Sequence, residues 1–96
     1  MPKKTVLVVD DEPAIRDMLT MVLEAASFVV LEAENAGLAH AAIIDRRPDI
    51  VLLDWMMPGT TGLELLRRLK RDPLTKNVPI IMLTAKAEEG GEGRWP

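Results

Sequence analysis

Four short apolar runs punctuate the chain, and stretches with a helical period separate them. Thr5–Val9 (TVLVV), Asp49–Leu53 (DIVLL) and Val78–Leu83 (VPIIML) are continuous rather than alternating, and rich in Val, Ile and Leu. Runs of that kind predict strands covered on both faces, as in a parallel sheet. Phe28–Ala33 (FVVLEA) is more mixed and suits an edge strand. From Pro13 to Ala26, the residues Ile15, Met18, Leu19, Val22, Leu23 and Ala26 recur at three- and four-residue steps, which draws one apolar stripe on a helix. Pro13 fits the first turn, where a missing N–H costs nothing. Asn35 suits the cap of a second helix running to Arg47, with Ala39, Ala42 and Ile43 inward. Thr61-x-x-Glu64 has the spacing of a capping box, opening a third helix with Leu63, Leu66 and Leu69 inward. Lys70 and Arg71 suit the negative end of its dipole, and Asp72-Pro73 stops it.

The resulting order, β-α-β-α-β-α-β, predicts an α/β fold with right-handed crossovers and a parallel sheet covered on both faces. One domain over residues 1–89 is expected. Residues 90–96, with a terminal Trp-Pro and no apolar period, read as an aberrant or disordered tail.

Composition narrows the function classes. Apolar residues make up 48% of the 96 residues, enough for a modest core. The absence of cysteine excludes disulfides and thiolate metal sites. A net charge of −3 gives no electrostatic case for nucleic-acid binding. The first nine residues lack a cleavage signal, and no apolar stretch approaches the ~20 residues of a membrane span. A cytoplasmic protein without membrane or nucleic-acid partners is expected.

In an open parallel sheet, ligands bind beyond the carboxyl ends of the strands. The first strand ends in Asp10-Asp11-Glu12, the third in Asp54 and the fourth in Thr84. Taken singly, each has a plain structural role. Asp11, before Pro13, is as readily a helix cap; Asp54 could open a turn before Pro58-Gly59; Thr84 could be a strand end with a satisfied hydroxyl. Together they bring three carboxylates and a hydroxyl to one rim. Like charges held close repel one another, and a divalent cation relieves them. Oxygen ligands without His or Cys point to Mg²⁺. A carboxylate beside that ion can act as a nucleophile toward a phosphoryl group. Asp54, alone at the end of a central strand and facing the Asp10-Asp11 pair, is the candidate acceptor.

VLVVDDE, DIVLLDWMMPGTTG and PIIMLTA, in that order and at matching intervals, resemble the receiver domain of bacterial two-component response regulators, from about Lys4 to Glu89. The resemblance implies a flavodoxin-like doubly wound sheet, in which the four strands present take the order 2-1-3-4. It implies Asp54 as the phosphorylated residue and Asp11 as a direct Mg²⁺ ligand. Asp10 would act through water, Met56 through its backbone carbonyl, and Thr84 as a switch hydroxyl. It also implies a sensor histidine kinase as phosphodonor. The family pattern continues with a helix, a fifth strand ending in Lys-Pro and a final helix, and the chain has no match for that lysine. A C-terminally truncated module is therefore expected. It would be impaired in phosphorylation if the lysine is needed, and its fourth strand, left as an edge, would invite self-association. Two other readings stand beside it. One is an inert or interfering fragment. The other is a phosphatase of the haloacid dehalogenase type, although that family has Asp-x-Asp where this chain has adjacent Asp10-Asp11. His40 reads as a surface histidine with no acid placed beside it, Trp55 equally as a residue shaping partner docking near the pocket or as one packed against the neighbouring loop, and Arg67-Arg68-Lys70-Arg71 as a solvated helix face.

Overall fold

A computed structural model describes residues 3–54 and 61–83. Its elements follow in the order β1 (Thr5–Val9), α1 (Pro13–Ala25), β2 (Val29–Ala33), α2 (Ala36–Arg46), β3 (Ile50–Asp54), α3 (Gly62–Arg71) and β4 (Ile80–Leu83). The four strands form one parallel sheet in the order β2-β1-β3-β4. This is the flavodoxin-like arrangement that the pattern implies. The expected boundary between residues 89 and 90 lies outside the described residues.

The two faces of the sheet are covered unequally. Leu7, Val9, Ala33, Val51 and Leu53 point to one face, where Ala36, Ala39 and Ile43 of α2 and Leu65 and Leu69 of α3 close a continuous core. Val6 and Val8 are also buried but lie outside that cluster, under α1. Each large aliphatic side chain removed from water contributes about 1.5–3 kcal/mol. That term comes mainly from the α2/α3 side.

This asymmetry corrects three sequence expectations. First, the stripe on α1 is only partly covered: Ile15, Leu19 and Leu23 are half-buried, whereas Met18 and Val22 are 51% and 59% exposed. Second, β3 alternates and β4 is open. Leu52 is half-buried and Ile81 is 49% exposed, although an uninterrupted apolar run predicts cover on both sides. The register aligns Val8, Leu52 and Ile81 across the sheet, on the face of α1. Helix α1 packs on β1 and β2, and Ile81 of β4 on that face is left exposed. Third, α3 buries Leu69 and packs Leu66 against the core as expected, but it also buries Gly62 and Leu65, while Leu63 is only half-buried. A strict three-residue step from Leu63 drifts around a helix of 3.6 residues per turn, whereas Leu65 and Leu69, four apart, stay on one face.

The helix ends follow local chemistry. The Asn35 side chain accepts from the Leu38 N–H at 2.8 Å, and Thr61 Oγ1 accepts from the Glu64 N–H at 3.1 Å, as their types predict. Helix α3 is closed by a residue the sequence does not single out. Thr75 is fully buried, and its hydroxyl donates to the Leu69 carbonyl at 2.6 Å. Asp72 Oδ1 accepts from the Leu74 N–H at 2.9 Å, and its Oδ2 lies 3.2 Å from His40 Nε2. His40 is therefore half-buried beside an acid 32 positions away, where the sequence offers no neighbour for it. The pair ties α2 to the end of α3.

The Leu74 amide, followed by His40, holds the Asp72 carboxyl below its ordinary range. A lowered folded-state value means that this group contributes stability above its unfolded pKa, which is lost as pH falls below about 4. Asp72→Asn should flatten that limb of the stability–pH curve in urea melts without changing its alkaline side. Ser27 follows α1 with φ of 74°, a left-handed conformation that costs a non-glycine residue free energy. Ser27→Gly should raise stability by up to about 1 kcal/mol, read from the urea midpoint.

Candidate metal centre

Strand β1 carries the chain to the carboxyl edge of the sheet, and Asp10 prolongs it by one pairing: its N–H donates to the Ala33 carbonyl at 3.1 Å. The Asp10 side chain turns back, and Oδ1 accepts from the Glu12 N–H at 2.9 Å. Asp10 is thus buried, at 6% exposure, with its carboxylate oriented by its own backbone. Asp11 is half-buried beside it. The cap position of α1 is Glu12, in extended geometry and with no side-chain cap, and Pro13 begins the helix. The cap position falls to Glu12, so the structural reading of Asp11 as a helix cap does not hold.

Strand β3 supplies the third acid. Asp54 is its last residue rather than the first beyond it, and it pairs in register with Leu83 of β4. Val9 is level with Leu53, so the acids that follow these two residues meet at the same end of the sheet. One carboxylate oxygen from each of Asp10, Asp11 and Asp54 lies within 4.8 Å of the other two. The three carboxylates converge at one rim, as the strand ends imply. Met56 and Thr84 lie outside the described residues.

Carboxylates held this close repel one another, and a divalent cation relieves that repulsion. The donor set suits a small hard cation. Oxygen donors within 4.8 Å of one another are close enough for a hard cation to draw in directly or through its bound waters. Carboxylate oxygens without imidazole or sulfur favour Mg²⁺ over softer metals.

Two residues next to the cluster escape sequence reasoning. Arg16 donates through Nη1 to the Asp10 carbonyl at 2.8 Å and through Nε to Glu32 Oε1 at 3.2 Å. Arg16 lies on the predicted helix and Glu32 on the predicted strand, but no local pattern joins positions 16 residues apart. The far end of the sheet has a recess of about 470 Å³, lined by Arg47, Pro48, Asp49, Pro73, Leu74 and Asn77 among others, away from the acids.

The response regulator receiver domain family matches residues 6–92. The chain is 63% identical over 89 residues to the phosphate regulon transcriptional regulatory protein PhoB of Pseudomonas aeruginosa, covering 93% of this chain and 39% of that protein. It therefore spans well under half the length of that curated relative. Among solved structures, the N-terminal domain of a response regulator receiver protein from Methanoculleus marisnigri superposes with a TM-score of 0.84 at 41% identity, covering 91% of this chain and 76% of that one. The response regulator TrrA of Thermotoga maritima, in complex with Mg²⁺-BeF, gives 0.81 at 36% identity, with 93% and 76% covered. Receiver domains are signalling modules phosphorylated on an aspartate, and they bind Mg²⁺ in an acidic pocket. The four-stranded parallel sheet, the clustered acids and these likenesses agree that the chain belongs to the response regulator receiver domain family.

Proposed function

We propose that this chain is a phosphoacceptor module that receives a phosphoryl group on Asp54 from a sensor histidine kinase. The observation that carries the reading is the meeting of three carboxylates from two adjacent strands within 4.8 Å. Asp11 and Asp54 would hold Mg²⁺ directly, with the Met56 carbonyl, and Asp10 would hold it through water. When bound, the ion supplies positive charge for the phosphoryl oxygens. Asp54 is the nucleophile. Its carboxylate oxygen forms the new P–O bond as the P–N bond of a phosphohistidine breaks, and the leaving imidazole nitrogen keeps the electron pair and takes a proton. Asp10, fixed by the Glu12 N–H, keeps a stationary negative charge beside the acceptor. The Thr84 hydroxyl would then turn toward the phosphorylated side chain.

Two measurements test this. With acetyl phosphate and Mg²⁺, intact mass should show the gain of one phosphoryl group on the parent chain and on Asp10→Asn, and none on Asp54→Asn or after chelation of the metal. The opposite pattern, with Asp10 essential and Asp54 dispensable, would favour the phosphatase reading. No gain on the parent chain would favour the inert fragment, impaired in the chemistry its pocket encodes. Asp11→Asn should weaken Mg²⁺ binding at least about tenfold, judged against the effect of removing a mere outer partner.

A second reading concerns assembly. Met18, Met21 and Val22 on α1 and Ile81 on β4 are each 49–70% exposed. We infer that copies of this chain associate through this side of the sheet, including the β4 edge, because exposed apolar surface of this kind favours association. Sedimentation should show a concentration-dependent rise in mass; a monodisperse monomer across the accessible range would overturn it. The relative is named as a transcriptional regulator, and a DNA-directed output is the natural counterpart of such a module. With a net charge of −3, this chain alone would not supply that contact.

A further inference from the structure

The Asp10 backbone is held on either side of its Cα, in two successive peptide units. Its N–H is held by the Ala33 carbonyl at 3.1 Å, and its carbonyl accepts from Arg16 Nη1 at 2.8 Å. The same guanidinium is braced by Glu32 Oε1 at 3.2 Å, with side-chain exposures of 15% for Arg16 and 37% for Glu32. Glu32 is level with Val8, on the sheet face that α1 covers. One planar cation therefore joins the end of β1, the first turns of α1 and the end of β2.

A guanidinium presents its donors in a rigid fork, so fixing one bond constrains the direction of the other. The carbonyl it holds is the one joined to the Asp11 nitrogen, because the Asp10 carbonyl and the Asp11 N–H share a planar peptide unit. The Asp10 side chain has its own anchor in the Glu12 N–H. The fork instead sets the plane from which the Asp11 Cα departs. We infer that Arg16, braced by Glu32, is a positioning residue for the acidic pocket, and that it sets the direction in which Asp11 offers its carboxylate to a divalent cation. This inference rests on the reading of that pocket as a Mg²⁺ site. A purely structural staple between α1 and β2 would alter melting but leave metal affinity alone.

The experiment titrates Mg²⁺ into the full 96-residue chain by calorimetry, and follows the Asp11 amide in ¹H–¹⁵N spectra and the melting temperature. The chains compared are the parent, Arg16→Gln, Arg16→Lys, Glu32→Gln and Asp11→Asn. Arg16→Gln should weaken Mg²⁺ binding about ten- to a hundredfold, the range for partners that orient metal ligands, and should shift the Asp11 amide before metal is added. Arg16→Lys, whose single ammonium cannot reproduce the fork, should fall between it and the parent. Glu32→Gln should lose less, since an amide oxygen can still accept from Nε. If Arg16→Gln melts earlier but binds Mg²⁺ as tightly as the parent, the positioning role is overturned. Should that variant not fold, Arg16→Lys and Glu32→Gln decide by the same criterion. If the parent and Asp11→Asn both show no Mg²⁺-dependent heat or spectral change, the metal reading itself fails and the inference falls with it. If Asp11→Asn loses binding while both Arg16 variants keep it, only the positioning role falls.

Discussion

Parallel pairing of β1 with β3, in a register that sets Val9 level with Leu53, forces like-charged strand ends together. Like charges held this close repel one another. Burial beneath the acids holds them together. Val6, Leu7, Val8, Val9, Val51 and Leu53 are all at most 2% exposed, and sliding β3 by one residue would turn Val51 and Leu53 away from the α2/α3 core. The cost of crowding Asp10, Asp11 and Asp54 is thus met by the registry of the core, and the same registry makes the cluster a ready site for a hard cation.

The sheet meets this demand with different means on its two faces. On one side α2 and α3 bury Ile43, Leu65 and Leu69 in a continuous apolar layer. Their junction is finished with polar contacts: the Thr75 hydroxyl on the Leu69 carbonyl, and Asp72 between the Leu74 amide and His40. On the other side α1 contributes no fully buried residue. There the loop carrying the acids is secured by hydrogen bonds from Arg16 rather than by packing. A packed layer resists displacement in every direction, whereas a forked charge-assisted contact fixes one peptide plane. That division suits a module whose sheet must stay rigid while its rim engages an ion and a partner.

Much of this was legible in the residues alone. Continuous Val, Ile and Leu runs separated by helical periods specified alternating strands and helices, because side-chain direction follows backbone period. Asn35 and Thr61 marked helix starts, since a cap depends on residues only three apart. The strand-ending acids could be picked out because a parallel sheet sends the carboxyl ends of its strands to one rim. The family pattern then gave the strand order.

Only the tertiary structure decided what depends on distance through space. It put Leu65, not Leu63, in the core, and left Met18, Val22 and Ile81 uncovered, because burial depends on which neighbour lies opposite. It joined Arg16 to Glu32 and the Asp10 carbonyl, and His40 to Asp72, across intervals that no local period spans. A chain's sequence sets which groups it can offer and the local direction in which each points. Which charges meet, and at what separation, is fixed only when the packed sheet brings distant segments together.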